Sequence, residues 1–414
     1  MKLAIVGGGS TYTPELIDGF SRMRDSLPVE ELWLVDTDET RLGLVAGIAQ
    51  RMFARAGHPG RIVPTTDLVA GVSDVDAVLI QLRVGGQDAR RGDETWPHEV
   101  HCIGQETTGP GGFAKALRTV PVILKVADAV RAHAKPDAWI VDFTNPVGIV
   151  TRALLNEGHH AVGLCNVAIG FQRRFAGLLD VTPDEVSLGH VGLNHLTWIR
   201  SVTAGGVDHL PDMFDRFAEE SEQLEVARLL GAIPSYYLRY YYAHDEVLEE
   251  QLHEPTRAEA VQAVERELLA LYADPTVDTK PAALEKRGGA FYSEAAIELL
   301  SGLIGGVDQT RVVNLRNGGS LPFLPDDHVI EVPARVTAAG VEALPIAPLD
   351  DDIRGLVSAV AGYERLALDA AIHGGRDRVL RAMQAHPLVL QYERADKLTD
   401  LLLQHNAQHL EWAR

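Results

Sequence analysis

The chain has 414 residues, of which 46% are hydrophobic and 23% charged, and its acidic residues outnumber its basic ones by 58 to 38. This length predicts more than one domain, and the formal charge of −20 argues against nucleic acid or a membrane surface as a partner. Two cysteines, no signal-peptide pattern and no apolar run long enough to span a bilayer predict a cytoplasmic protein.

The first 165 residues alternate short apolar runs with amphipathic stretches, a pattern typical of a parallel sheet with crossover helices. The pattern predicts strands at 3–6, 31–35, 62–64, 77–81, 138–142 and 160–164. It predicts helices near 14–24, 40–56, 114–134 and 146–156. Gly and Pro clusters near 84–86 and 109–112 predict a long, ligand-binding loop between the fourth and fifth strands.

The alternation of short apolar runs with amphipathic stretches ends after about residue 180, where a different sequence pattern begins. It predicts an antiparallel pair at 186–191 and 197–203, helices over 212–305, a strand region at 311–348 and helices near 350–372, 376–384 and 388–412. We therefore expect an α/β protein with an N-terminal Rossmann-type, NAD-binding domain over residues 1–185. Residues 186–414 are expected to form an α+β domain for substrate, metal and oligomerisation.

A glycine turn follows the first predicted strand and leads into a helix. Gly7 and Gly9 occupy the first two glycine positions of a dinucleotide fingerprint, where the backbone turns tightly beside a pyrophosphate, but Tyr12 occupies the third. Asp36 ends the second strand, where a carboxylate would bind the adenosine ribose and favour NAD over a 2′-phosphorylated cofactor. The order of strand, turn, helix, strand and carboxylate indicates nucleotide binding.

Cys165 and Asn166 follow the sixth predicted strand, and His195 lies in a predicted turn between two strands. A buried thiol and a core histidine would have no chemical role. A thiolate and an imidazole could instead hold a divalent metal in an open site, since two ligands cannot close a structural zinc site. Sulfur favours zinc or iron over manganese, so the spacing leaves the existence and identity of a metal open.

Five of the ten tyrosines lie within residues 236–242. In a helix, Tyr237 would share a face with Tyr240 and Tyr241, which suits an aromatic core stripe. Alternatively, one phenol acts as a base whose pKa is lowered by a cation or metal. Five arginines are candidates to hold a substrate anion: Arg83, Arg90, Arg91, Arg257 and Arg287.

At these positions the sequence resembles the family 4 glycoside hydrolases, the NAD- and metal-dependent glycosidases. The resemblance rests on segments 6–10, 12–16, 104–113, 142–146, 163–167, 192–195, 237–241 and 286–289. One of them reads Gly-Gln-Glu-Thr-Thr-Gly-Pro-Gly-Gly-Phe at 104–113. The segments occur in order over essentially the whole chain, and the family shares the two-domain plan of lactate-dehydrogenase-like 2-hydroxy-acid dehydrogenases.

The resemblance implies a redox route to hydrolysis in place of the usual carboxylate pair. NAD⁺ takes a hydride from C3 of the sugar, the resulting ketone acidifies the C2 proton, and a base removes that proton while a metal stabilises the enediolate. The C1 leaving group is eliminated, water adds, and NADH returns the hydride. The nicotinamide therefore ends unchanged.

The resemblance also assigns roles to individual residues. Cys165 and His195 match the metal ligands, usually for Mn²⁺, and Tyr237 matches the C2 base. The matching substrate contacts are Arg83, Asn145, Asn166 and Arg257, with the arginines near the phosphate of a phosphorylated sugar. The matching cofactor positions are Gly7, Gly9, Ser10 and Asp36.

Asn166 indicates one branch of the family. Members acting on α-linked sugars tend to carry Asp or His after the cysteine, whereas 6-phospho-β-glucosidases tend to carry Asn. The resemblance therefore implies a 6-phospho-β-glucosidase that acts as a homodimer or homotetramer. The alternatives are a 6-phospho-α-glucosidase, an α-galactosidase or an ordinary NAD-dependent 2-hydroxy-acid dehydrogenase. The gluco or galacto preference, the aglycone and the acid for the leaving group stay unassigned.

Overall fold

A nine-stranded sheet forms the centre of the computed structural model, which describes residues 1–218, 224–288 and 291–413. Six of its strands are parallel, in the Rossmann order β3-β2-β1-β4-β5-β6. They are β1 (Lys2–Val6), β2 (Glu31–Val35), β3 (Arg61–Thr65), β4 (Ala77–Ile80), β5 (Trp139–Asp142) and β6 (Ala161–Gly163). The six predicted strands are confirmed, with bounds that differ by one residue at most.

Seven helices connect or flank these strands in the described part of the chain: α1 (Thr13–Arg22), α2 (Glu39–Arg55), α3 (Leu68–Val72), α4 (Gly86–Thr95), α5 (Gly109–His133), α6 (Val147–Asn156) and α7 (Val167–Leu179). The predicted long loop between the fourth and fifth strands is wrong, because α4 and the first turn of α5 lie there. Gly85, with φ of +82°, precedes α4, and Pro110 lies in the first turn of α5, so both residues stand at helix N-termini. Helix α4 packs through ion pairs, such as Asp93 with Arg118 at 2.6 Å, and so carries no apolar period.

The second half begins with a four-stranded antiparallel sheet made of β7 (Val186–Leu193), β8 (Leu196–Ala204), β9 (Val207–Asp208) and β10 (Ile233–Pro234). The predicted pair is thus confirmed as the β7–β8 hairpin. The helices that follow are α8 (Leu210–Ala218), α9 (Leu224–Leu230), α10 (Arg239–Tyr242), α11 (His244–His253), α12 (Arg257–Ala273) and α13 (Tyr292–Leu303). Parts of the predicted helical stretch, at 219–223 and 289–290, lie outside the described residues.

The large sheet crosses the predicted domain boundary. Strands β11 (Gln309–Arg316), β12 (Val329–Thr337) and β13 (Gly340–Ala343) extend it in antiparallel fashion, and β11 joins β6 where Asn314 pairs with Gly163. Three C-terminal helices follow, α14 (Asp351–His373), α15 (Arg376–Ala385) and α16 (Tyr392–Asn406). Residues before and after 185 therefore share one sheet, and the division at 185 stays a prediction.

Successive residues of β1 face opposite sides of the sheet. Leu3 and Ile5 belong to the apolar cluster on one face, whereas Ala4 and Val6 belong to the cluster on the other. This alternation follows from the two-residue period of a strand, and burial on both faces is typical of a parallel sheet covered by helices. Within the ranges that the structure describes, no helix is long and apolar enough to cross a membrane.

Candidate active site

A cavity of about 1150 Å³ opens where the parallel strands end. Val6, Asp36, Leu82 and Asn145, which end or follow β1, β2, β4 and β5, line one side of it. The opposite side comes from the second half of the chain: Tyr237, Arg257, Arg287 and Tyr292. The carboxyl edge of an open parallel sheet is where such folds bind ligands, and the volume suits a dinucleotide together with a sugar.

The glycine turn fits the close approach of a dinucleotide. Gly7 has φ of +88°, and a Cβ atom there would lie 2.7 Å from the carbonyl oxygen of Gln81. A Cβ atom at Gly9 would lie 2.8 Å from Oδ2 of Asp36, which accepts a 2.9 Å hydrogen bond from the Gly9 amide. Ser10 and Asp36 both line the cavity. The turn is thus held against the predicted ribose-binding carboxylate.

Tyr12, which occupies the third glycine position, contacts the second half of the chain. Its hydroxyl accepts a 3.3 Å hydrogen bond from the amide of Ser293, and its ring lies edge-on to that of Tyr292, with centroids 6.2 Å apart. Both partners belong to α13, so the aromatic side chain ties the glycine turn to the second half of the chain. The departure from the fingerprint therefore has a packing role.

The structure brings the predicted metal ligands together. Cys165 follows β6, and His195, with φ of +62°, lies in the turn of the β7–β8 hairpin. Cys165 and His195 both lie near the carboxylate of Glu331, which influences the pKa of each. Tyr237 lies near both as well, because its ring stacks on His195 and the charge of a Cys165 thiolate would raise its pKa. Each ligand is only 4% exposed, so both lie just behind the cavity wall, which Asn166 and Tyr237 form beside them.

A buried carboxylate holds this arrangement from behind. Glu331 of β12 accepts hydrogen bonds of 2.9 Å from His190 of β7, from Asn194 in the hairpin turn and from Asn314 of β11. Burial raises the pKa of Glu331, but these donors outweigh it and hold the pKa below its usual value. Glu331 therefore joins the small sheet to the large one at the residue next to His195.

The donor set fits an open divalent site. Burial raises the pKa of the Cys165 thiol above its usual range, so an adjacent cation is needed to favour the thiolate. Burial lowers the pKa of His195 to about 4, which keeps the imidazole neutral as a metal ligand must be. Among the described residues, no three His, Cys, Asp or Glu side chains form a metal cluster, so further ligands would come from substrate and water.

Tyr237 also needs a cation to act as a base. Burial, followed by the charge of Cys165, raises its pKa well above the usual value. Tyr237 does not lie in a long helix, because residues 236–238 form a short 3₁₀ turn that precedes α10. Tyr240 is buried beside Tyr237, whereas Tyr236 is 62% exposed. The tyrosine run is therefore part core and part cavity wall.

A cluster of basic side chains surrounds Glu106 in the cavity wall. Lys115 and Arg90 lie 2.6 and 3.2 Å from its carboxylate, and Arg83 donates to it as well. Burial raises the pKa of Glu106, but Arg83 and Lys115 outweigh it, so the pKa lies well below its usual value. Arg83 is thus placed at the cavity as predicted, although one of its contacts is a carboxylate of the protein itself.

Arg257 differs from the other cavity arginines. In the three described ranges, its guanidinium contacts no carboxylate and donates instead to the carbonyl oxygens of Lys286 and Arg287, both at 3.2 Å. Arg239 is paired with Glu250 and Arg287 with Glu265, whereas Arg91 is exposed and lies outside the cavity lining. The charge of Arg257 is therefore available to an anion.

Asn145 presents an unsatisfied acceptor. Its Oδ1 atom is buried and has no hydrogen-bond partner among the described residues, and the side chain lines the cavity. A buried amide oxygen without a partner is costly, which suits a group that binds a ligand hydroxyl. Asn166 lines the same cavity and precedes α7.

Glu265 connects the cofactor turn with the substrate side. Its side chain is 8% exposed and lies 3.2 Å from Arg41 and 3.4 Å from Arg287. Its carboxylate also accepts hydrogen bonds from Thr11 at 3.1 Å and Gln87 at 3.2 Å. The carboxylate therefore joins α12 to the glycine turn, α2 and α4.

Sequence reasoning gave no role to Glu106, Thr107, Glu265 or Glu331. Glu106 and Thr107 lie in the segment at 104–113 that carries the family resemblance, and this was a signal for a functional position. Glu265 lies on a charged helix and Glu331 in an apolar strand, where neither residue stands out. The motif at 286–289 is described only as far as Gly288.

Two family models match the chain. The family 4 glycosyl hydrolase model matches residues 2–181, and the model of the family 4 glycosyl hydrolase C-terminal domain matches residues 190–389. The chain therefore belongs to the family 4 glycosyl hydrolases.

The relatives carry a narrower name. A probable 6-phospho-beta-glucosidase of Bacillus subtilis is 40% identical, covering 99% of this chain and 97% of that protein. The structure of the 6-phospho-beta glucosidase of Thermotoga maritima with manganese, NAD⁺ and glucose-6-phosphate superposes with a TM-score of 0.93 at 33% identity, covering 99% of both chains.

The fold extends beyond the family. Malate dehydrogenase of Salinibacter ruber superposes with a TM-score of 0.56 at 18% identity, covering 91% of this chain and 99% of that one. This likeness confirms the predicted dehydrogenase-like architecture and concerns the fold alone.

Proposed function

We propose that this chain hydrolyses 6-phospho-β-glucosides with the help of NAD⁺ and a divalent metal, usually Mn²⁺. The observation that carries the proposal is one cavity whose lining combines the glycine turn at Gly7, the phenol of Tyr237 and Arg257, which pairs with no carboxylate among the described residues. Family membership supports the reaction class, and the names of the relatives support the substrate.

Arg257 is the proposed phosphate-binding residue. Among the described residues, Arg257 is the cavity arginine whose guanidinium contacts no carboxylate. An arginine can bind phosphate through two parallel hydrogen bonds. The Thermotoga maritima relative binds glucose-6-phosphate in its structure, which supports the same chemistry here. Arg83, which also lines the cavity, would assist at the phosphate, and Asn145 would bind a sugar hydroxyl.

Asn166 supports the β-linked branch. It stands after the cysteine, where the resemblance associates Asn with 6-phospho-β-glucosidases, and it lines the cavity. Its amide carries no labile proton, so it would bind the substrate rather than protonate the leaving group. The 40% identical relative, named as a probable 6-phospho-beta-glucosidase, supports the same choice.

The chemistry divides between the cofactors and the chain. When bound, NAD⁺ accepts and returns a hydride, and the metal supplies a Lewis acid. Gly7, Gly9, Ser10 and Asp36 would hold the dinucleotide, and Cys165 and His195 the metal. Tyr237 would remove the C2 proton with its phenolate oxygen. The positive charge of the bound metal would lower the pKa of the phenol, which burial raises.

A dehydrogenase that oxidises 2-hydroxy acids is the second candidate, because the fold is shared. Such an enzyme needs a histidine–carboxylate pair facing the substrate. His195 instead bonds to Thr107 at 2.9 Å. His190 has a carboxylate partner, but its side chain is 0% exposed. The described cavity therefore favours the glycosidase.

The deciding experiment incubates the purified protein with NAD⁺, Mn²⁺ and a chromogenic 6-phospho-β-glucoside. We expect the chromophore to be released without net accumulation of NADH, and much more slowly from the α-anomer, the galacto epimer and the unphosphorylated glucoside. Stoichiometric NADH formation would support the dehydrogenase instead. Cleavage of the α-anomer alone would overturn the β assignment.

Two further expectations concern the setting of the enzyme. A phosphorylated sugar is the proposed small-molecule partner, and a homodimer or homotetramer stays a prediction that sedimentation analysis can test. The cytoplasmic location also stays a prediction.

A further inference from the structure

Gln105 and Thr107 form a hydrogen-bonded chain that ends at His195. The Oε1 atom of Gln105 accepts from the backbone amide of Thr107 and, at 2.9 Å, from that of Thr108. It also lies 2.8 Å from the Thr107 hydroxyl, which in turn lies 2.9 Å from Nδ1 of His195. All these residues are in the described part of the chain.

The chain has one direction. Backbone amides only donate, so the Gln105 atom that faces them must be the amide oxygen. Because this oxygen cannot donate, the Thr107 hydroxyl must give its hydrogen to it. The hydroxyl oxygen is then left as an acceptor toward His195, and Nδ1 must carry the hydrogen. A neutral imidazole protonated at Nδ1 has its lone pair at Nε2.

We propose that Gln105 and Thr107 are positioning residues that hold His195 in the Nδ1–H tautomer and present the Nε2 lone pair to the metal. The proposal rests on the metal site of the proposed function. Histidine ligands generally donate a hydrogen bond from the N–H of their second ring nitrogen, and the acceptor fixes the ring and raises its basicity. Here the acceptor is a hydroxyl, and a glutamine held by two backbone amides sets its orientation.

Tyr237 completes the restraint on the ring. Its ring stacks on the imidazole with a centroid distance of 3.7 Å, so the ring plane is held by the stack and the rotation within that plane by Thr107. His195 also has φ of +62°, a conformation that non-glycine residues adopt rarely. The ring plane and the tautomer are therefore each set by a separate contact.

The test measures Mn²⁺ binding to the full-length protein from the loss of the electron paramagnetic resonance signal of free Mn²⁺. Thr107→Val keeps the shape of the side chain and removes the hydroxyl, and we expect it to weaken Mn²⁺ binding about 10–100-fold. Thr107→Ser restores the hydroxyl and should bind Mn²⁺ nearly as tightly as the wild type. Cys165→Ser, which removes a proposed ligand, should abolish binding.

These variants separate the two levels of the proposal. Wild-type affinity in Thr107→Val, together with lost binding in Cys165→Ser, would overturn the role of Thr107 alone. Wild-type affinity in Cys165→Ser would overturn the metal site itself, and with it the proposed function.

A second readout does not depend on the metal. In the metal-free protein labelled with ¹⁵N-histidine, His195 should show a protonated Nδ1 and an unprotonated Nε2. Gln105→Met, which removes the acceptor and keeps Thr107, should shift the ring toward the Nε2–H tautomer, and this variant serves if Thr107→Val does not fold. An unchanged tautomer in every folded variant would contradict the proposal.

Discussion

The ring of Tyr237 lies almost parallel to the imidazole of His195, with the ring planes inclined by 9° and the centroids 3.7 Å apart. The proposed base thus touches the proposed metal ligand. A cation bound to His195 would lie close to the phenol and would lower the pKa that burial raises. We therefore expect Tyr237 to act as a base only in the metal-loaded enzyme.

Tyr237→Phe tests the base, because it keeps the stacked ring and removes only the hydroxyl. We expect kcat to fall about 10²–10⁴-fold, and the exchange of the substrate C2 proton with solvent deuterium, followed by NMR, to be lost. Mn²⁺ binding should be retained. Tyr242→Phe, in the same run but outside the cavity lining, is the matched control. Normal C2 exchange in Tyr237→Phe would disqualify Tyr237 as the base.

Arg257→Ala tests the phosphate site. Removing the guanidinium should raise KM for the 6-phospho-β-glucoside about 10–100-fold, or about 1.4–2.8 kcal/mol, because a charge-assisted contact is lost. Turnover of the unphosphorylated glucoside should change little. Arg266→Ala, an exposed position on the same helix, is the control. An equal loss with both substrates would refute the phosphate role.

Glu265→Gln tests the link between α12 and the cofactor turn. Burial raises the pKa of Glu265, but Arg287 and Arg41 outweigh it and keep the carboxylate ionised. Removing this charge leaves both guanidinium groups unpaired beside Thr11 and Gly9, so we expect NAD⁺ to bind about tenfold more weakly. Isothermal titration calorimetry measures the effect, and the exposed Glu267→Gln is the control. Identical NAD⁺ affinities of the wild type and Glu265→Gln would show that the Glu265 ion pairs do not contribute to cofactor binding.

Asp142 predicts a pH dependence of stability. Burial raises its pKa to about 8, and Oδ2 has no hydrogen-bond partner among the described residues. Since the folded pKa lies above the unfolded value of 3.8, the folded state holds the extra proton between the two values. The stability from this proton is full below the unfolded pKa and is lost as the pH rises through about 8.

The measurement compares the free energy of unfolding of the wild type with that of Asp142→Asn in urea between pH 5 and 8. The wild type should lose up to about 1.4 kcal/mol more per pH unit than the variant, because the amide does not titrate. Other groups titrate alike in both proteins. Parallel stability curves would show that Asp142 is ionised in the folded state.

Local sequence determined much of the first half. Strands β1 and β2 could be predicted because their apolar runs are bounded by turn residues, and Gly7 and Asp36 follow them directly. The family resemblance added Cys165, His195, Tyr237 and their proposed roles. Helix α4 was not predicted because it packs through ion pairs, such as that of Asp93 with Arg118. Ion pairs leave no hydrophobic periodicity in the sequence.

Only the tertiary structure decided which distant residues meet. Thr11 and Glu265 are 254 positions apart along the chain, and Asn194 and Glu331 are 137 apart, yet each pair is hydrogen-bonded. Hydrophobic periodicity reports which face of a segment is buried and carries no information about the partner of a single polar group. The sequence therefore predicted the chemistry of the site. Packing of the two halves decided which cavity arginine pairs with no carboxylate among the described residues, Arg257, and which hydroxyl His195 meets, that of Thr107.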